Sequence, residues 1–227
     1  PGLASAAVGS RLRVVGLGDR PGTIRLPSGR RVPRPLETVV RYPADGGGYP
    51  LVVFGHGFAL TPAAYARLLE AWTRAGYVVA APVFPLGNAA APGGPNESDI
   101  INQPEDMSFA ITRLLALSAR RNSVLYGKID SSQVAVAGHS DGAVTALAVA
   151  YDRRFRDPRL GAAIVLSGAA LGGMGRFARR GPPLLAMQRT ADTIYAPAIT
   201  EVFFEPAGYT QCLGGRYGAP ERPPLTH

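Results

Sequence analysis

Residues 133–143, QVAVAGHSDGA, set Ser140 between Gly138 and Gly142 at the spacing G-x-S-x-G. An apolar strand-like run precedes the serine and a helix-like run follows it, which is the context in which this spacing builds a serine nucleophile. A serine forced into a sharp strand-to-helix turn crowds the residues two positions away on either side, so residues without a β-carbon are favoured there. The turn would hold the hydroxyl out of the sheet, and the helix that follows would aim its first amides at developing negative charge. The plain alternative is a glycine-bounded turn with no chemistry.

The elements that would position this serine read as strands alternating with helices. Residues 35–44 (PLETVVRYPA) and 50–57 (PLVVFGHG) are apolar, β-branched runs. Residues 61–77 (TPAAYARLLEAWTRAGY) space Tyr65, Leu68, Leu69 and Trp72 helically, with Thr61 placed to cap and Gly76 to stop. YVVAAPV is a strand. PEDMSFAITRLLALSAR is a helix with Pro104 at its first position, acids in its opening turn and arginines towards its end. QVAVAG, GAAIVLSG and PLLAMQRT are further strands, and GAVTALAVAYD a helix. This alternation predicts an α/β fold with a mostly parallel sheet covered by helices on both faces. No repeat or linker divides the chain, so residues 1–227 are expected to form one domain, with 1–35 as N-terminal strands or an extension.

Composition narrows the field. A chain of 227 residues, 46% hydrophobic and 18% charged, can bury a sizeable core. The formal charge is +8, but the basic residues are almost all arginines scattered in ones and twos, without the basic run or aromatic comb of a nucleic-acid binder. Cys212 is alone, which excludes an intrachain disulfide and a zinc cluster of paired thiols. No apolar run approaches the roughly 18 residues of a membrane span. The chain starts at Pro1 rather than Met, which fits a processed, secreted product without showing one. Oligomeric state is left open.

With its motifs in order, the chain resembles an α/β-hydrolase, and within that group the lidless esterase, dienelactone-hydrolase-like and polyester-hydrolase (cutinase-like) families. The resemblance runs from about Leu36 to the end and rests on VVFGHGF, GYVVAAPVFP, VAVAGHSDGA and MQRTADTIYAP. It implies that Ser140 is the nucleophile and that the Phe58 and Asp141 amides form an oxyanion hole. It also implies that Asp192, followed by Pro197, is the triad acid. His56 then braces the oxyanion loop, and His139 packs locally with its side chain away from the serine hydroxyl. Asp106 sits in the opening turn of a helix, where the helix dipole accounts for it.

Only three histidines exist, so elimination leaves His227 as the base, in the order the fold requires. Related chains carry this histidine in a G-A-x-H loop, whereas YGAPERPPLTH puts Glu221 there. Either the loop is longer and His227 swings in, or the chain departs from the family at a truncated or altered C-terminus. The segment PAGYTQCLGGRYGAPERPP is also richer in Gly and Pro than a usual last strand. Too few residues separate AAIVLSG from PLLAMQ for a helical cap, so the site should be open, lined by Phe58, Leu60, Phe84, Met174, Ile194 and Tyr195. The loop after YVVAAPV lies where ligands bind in open α/β sheets. The expected activity is cofactor-free hydrolysis of short- to medium-chain or polymeric carboxylic esters through an acyl-enzyme; the alternative is a ligand-binding module without a positioned base.

Overall fold

The structure is a computed structural model that describes residues 9–26, 28–169, 181–189, 191–194 and 211–214. Among the described residues, eight strands form one sheet in the order β1-β2-β4-β3-β5-β6-β7-β8. β1 (Ser10–Arg25) and β2 (Arg31–Pro43) make an antiparallel hairpin, and β2 pairs antiparallel with β4 (Val78–Pro82). From there the sheet is parallel, through β3 (Tyr49–Gly55), β5 (Ile129–His139), β6 (Leu160–Leu166), β7 (Leu184–Arg189) and β8 (Gln211–Gly214). The sheet is therefore mostly parallel, as the strand–helix alternation predicted. β3 lies between β4 and β5, so chain order reverses there and leaves a crevice at the carboxyl ends of β3 and β5.

Helices cover both faces, which is why the central strands are apolar at nearly every position rather than at alternate ones. Leu51, Val53, Val136 and Val165 point to one side, where they meet Met107, Ile111 and Leu114 of α2 (Gln103–Ala119) and Leu147 of α3 (Asp141–Tyr151). Val52, Phe54, Val79 and Ala137 point to the other, towards Leu69 of α1 (Ala66–Arg74). Every residue of α3 is buried, so the helix after the serine turn is anchored along its whole length. Full burial of a side chain such as Leu147 contributes about 1.5–3 kcal/mol.

The element boundaries refine the sequence reading. The first helical stretch opens as a 3-10 turn, Pro62–Tyr65, and the Thr61 side chain makes no capping bond. Gly76, at φ 94°, follows the end of α1 as predicted. Pro104 is the second residue of α2 rather than the first. The N-terminal region forms a 16-residue strand. Despite its glycines and prolines, the C-terminal segment contributes β8, in register with Met187 opposite Cys212.

Asp106 needs a different account from the helix dipole. It is fully buried and accepts from Arg34 Nε at 2.8 Å and Arg20 Nε at 2.6 Å, while Arg34 also grips Asp99 at 2.9 and 2.8 Å. Burial alone would lower the Arg34 pKa, but the hydrogen bonds and charges of Asp106 and Asp99 outweigh it and hold the guanidinium above its ordinary value. These charges tie the hairpin to the start of α2.

Candidate active site

Ser140 occupies the turn between β5 and α3 with φ 55° and ψ −125°, a sparsely populated conformation that costs a residue with a β-carbon about 1–3 kcal/mol. The surrounding backbone imposes it. Its N–H donates to Leu166 O at 3.1 Å, and its carbonyl accepts from the N–H groups of Ala143 and Val144 at 2.8 and 3.1 Å. A Cβ at Gly138 would stand 2.0 Å from the carbonyl oxygen of Gly142, and one at Gly142 would stand 2.0 Å from that of Gly55. The flanking glycines are thus required by main chain meeting main chain, as the spacing suggested.

The loop after β3 lies over this turn and is held from three sides. His56 is almost wholly buried; Phe84 N–H donates to its Nε2 at 3.1 Å, and its Nδ1 meets Gly57 O at 2.9 Å. A nitrogen that accepts from an amide carries no proton, so the imidazole is neutral with its hydrogen on Nδ1, donating to Gly57 O. Burial pushes its pKa below the ordinary value, against the Gly57 bond. His56 is therefore committed to bracing. Leu60 N–H also reaches Gly57 O at 3.2 Å, and Ala59, at φ 55°, donates to Gly87 O at 2.9 Å. Fixing the Gly57 carbonyl fixes the opposite direction of the Phe58 N–H, because both belong to one planar peptide. Gly57 abuts the serine: a Cβ there would lie 3.2 Å from Ser140 Cβ.

Two side chains at this junction went unread in the sequence. Tyr65 accepts the Gly57 N–H at 3.0 Å and lies 2.9 Å from His139 Nδ1, and its ring packs tilted against Phe54, centroids 4.8 Å apart. Burial raises the Tyr65 pKa, and Asp141 adds to the rise while the Gly57 N–H opposes it. Gln188, buried in β7, donates to Asp192 Oδ2 at 3.2 Å. A glutamine directly after the apolar run of residues 184–187 was the available signal.

Asp192 lies just beyond β7, where its Oδ1 accepts Ile194 N–H at 3.0 Å. β7 runs parallel to β6 and β5, so the segment after it lies at the serine end of the sheet; burial lowers the His139 pKa, and the charge of Asp192 opposes that. Asp141 is the buried first residue of α3. Phe58 and Leu60 are each 37% exposed and Ile194 78%. Phe84 departs from the expected lining: its amide is tied to His56, its ring lies 4.8 Å from that imidazole, and it is buried in the core. Met174, Tyr195, Glu221 and His227 lie outside the described residues. Beside Phe58 a cleft of about 590 Å³ opens between Arg25 and Leu26 of the hairpin end and the loop bearing Leu86, Pro92 and Asn96. Among the described residues no three His, Cys, Asp or Glu side chains are grouped to hold a metal ion, and no helix is long and apolar enough to cross a membrane.

Comparison with known proteins places this geometry. The family profile described as Chlorophyllase matches residues 22–200. Chlorophyllase-2 of Arabidopsis thaliana is 29% identical over 163 residues, covering 70% of this chain and 48% of that protein, so the chain spans about half the length of the curated relative it matches. Esterase 2 of Thermogutta terrifontis phosphoramylated by tabun superposes with a TM-score of 0.62 at 14% identity, over 96% of this chain and 85% of the other. The same esterase phosphorylated by paraoxon gives 0.62 at 14% over 92% and 83%. At that identity the likeness is one of fold, and the fold is the α/β-hydrolase fold.

Proposed function

The chain belongs to the chlorophyllase family, and from that premise we propose that it is a serine carboxylic-ester hydrolase working through an acyl-enzyme. The observation that carries the reading is the strained Ser140 turn with the Gly57–Phe58 peptide laid against it. In this reading Ser140 Oγ attacks the acyl carbon and its proton passes to His227. Asp192 orients and supports the imidazolium, and the amides of Phe58 and Asp141 receive the oxyanion. The imidazolium then gives its proton to the leaving alkoxide, and water, deprotonated by the same base, releases the acid and restores Ser140. One arm of the ester lies in the cleft beside Phe58, whose volume of about 590 Å³ is within the range of small-molecule sites. Short- to medium-chain and polymeric esters are the substrates proposed, with Phe58, Leu60, Met174, Ile194 and Tyr195 as contacts. Chlorophyll belongs in the substrate panel because the Arabidopsis relative is named a chlorophyllase.

The test is hydrolysis of p-nitrophenyl butyrate by the chain and by Ser140→Ala, His227→Ala and Glu221→His. Activity lost in both Ser140→Ala and His227→Ala supports the full assignment. Activity absent until Glu221→His restores it supports a prepared nucleophile without a base. Well-folded protein that neither hydrolyses the esters nor reacts at Ser140 with a fluorophosphonate sinks the enzyme reading.

A further inference from the structure

The Tyr65 hydroxyl bridges two parts of the site that no covalent bond joins. On one side is the Gly57 N–H, in the loop that would carry the oxyanion donor, at 3.0 Å; on the other is His139 Nδ1, one residue before the nucleophile, at 2.9 Å. A phenol has one proton and two lone pairs. With a lone pair accepting the Gly57 N–H, the proton is free to be donated to His139 Nδ1. The partly buried imidazole, held below its ordinary pKa, is suited to accept it. Phe54 fixes the ring at 4.8 Å, and the start of α1 fixes its backbone. We infer that Tyr65 is a positioning residue that sets the distance between the oxyanion loop and the nucleophile turn through a Gly57–Tyr65–His139 hydrogen-bond chain. The inference rests on the ester-hydrolase reading above. His56 fixes the orientation of the Gly57–Phe58 peptide, and Tyr65 fixes how close that peptide stands to Ser140.

An oxyanion donor acts only as charge develops on the substrate, so its misplacement lowers kcat and leaves ground-state binding alone. Removing a donor outright costs about 10²–10³-fold, so loosening one should cost about 10–100-fold. Tyr65→Phe keeps the ring and deletes the bridge. The expected result is a kcat lower by about 10–100-fold, a KM within about twofold of wild type, and a melting temperature lower by a few degrees, because the Gly57 N–H loses its acceptor. In the His139→Gln background the further loss from Tyr65→Phe should shrink to about twofold or less, because the two residues act through one bond chain.

Wild-type kcat in Tyr65→Phe, a loss confined to KM, or full additivity with His139→Gln would each overturn the inference while leaving the esterase reading intact. If the wild-type chain hydrolyses no ester, the esterase reading fails separately. Nitrogen-15 NMR then decides the bridge. The His139 Nδ1 resonance should be that of an unprotonated acceptor, and Tyr65→Phe should shift it and speed hydrogen exchange at the Gly57 amide. No change in either signal overturns the bridge.

Discussion

Replacing Gly142 by alanine probes the point where the Ser140 turn meets the central strand. The added Cβ would lie 2.0 Å from the carbonyl oxygen of Gly55, 2.3 Å from its carbonyl carbon and 2.8 Å from the oxygen of His56, all main-chain atoms that no rotamer change can clear. Carbon–oxygen contacts relax at roughly 3.3–3.6 Å, so α3 and the end of β3 must separate by about 1.3 Å. Interiors are close-packed, so the strain is passed on rather than absorbed. Overpacking of this kind costs about 1–3 kcal/mol. At roughly 2–4 °C per kcal/mol for a chain of this length, Tm falls by about 2–12 °C. The two parts pushed asunder are the Ser140 turn and the loop carrying Phe58, and a 1 Å misplacement at a reacting centre costs about 100-fold in rate. Thermal melts and p-nitrophenyl butyrate kinetics on Gly142→Ala measure both effects. Gly16→Ala is the control, because a Cβ at Gly16 meets nothing within 4 Å and its φ is not in the left-handed region. A Gly142→Ala protein with wild-type Tm and wild-type kcat would refute the reasoning, since the close approach could not then exist in the folded chain.

Two further outcomes follow from buried charge and protonation. Arg34→Met leaves Asp99 and Asp106 buried without their shared cation, which should cost about 3–5 kcal/mol in urea unfolding; a loss under about 1 kcal/mol would mean that Arg20 alone suffices. His56 is depressed below its ordinary 6.5 by burial, so the unfolded chain takes up a proton there before the folded one does. Its stabilising contribution is then complete above about pH 6.5 and is lost as the pH falls towards the folded-state value. Urea unfolding from about pH 7.5 to about pH 5 should show that decline. His56→Gln should show less of it, the comparison cancelling the similar tendency of His139; parallel pH profiles would contradict the assignment.

What the sequence disclosed was what is local. The Gly138–Ser140–Gly142 spacing and the runs on either side are contiguous, so the turn is legible in the order of residues alone. β1 is legible only as one of two alternatives, N-terminal strands or an extension, because Gly18, Pro21 and Gly22 interrupt it. The strand absorbs them on an antiparallel edge, with register shifts between Gly16 and Asp19 and between Arg20 and Thr23. The helix dipole is an insufficient account of Asp106 because its partner Arg34 is 72 positions away. Tyr65 has helical periodicity and reads as an apolar contact, yet its hydroxyl serves His139, 74 positions distant. Phe84 follows a strand at the carboxyl edge, where an aromatic would suit a cleft. Its N–H donates to His56 Nε2 and its ring packs beside that imidazole in the core, 28 positions away, and nothing in its neighbours announces that.

The Ser140 turn and the cleft beside Phe58 are made of different material. At Gly55, Gly138 and Gly142 peptide meets peptide, and a substitution there moves the chain itself. The cleft is lined by residues of the hairpin end and an irregular loop, among them Arg25, Leu26, Leu86 and Asn96, whose side chains can be exchanged without main chain meeting main chain. If the proposed ester hydrolysis holds, mutational drift can therefore reshape what the chain accepts while leaving how it reacts untouched. Diversification within such a lineage would concentrate on the walls and spare the turn.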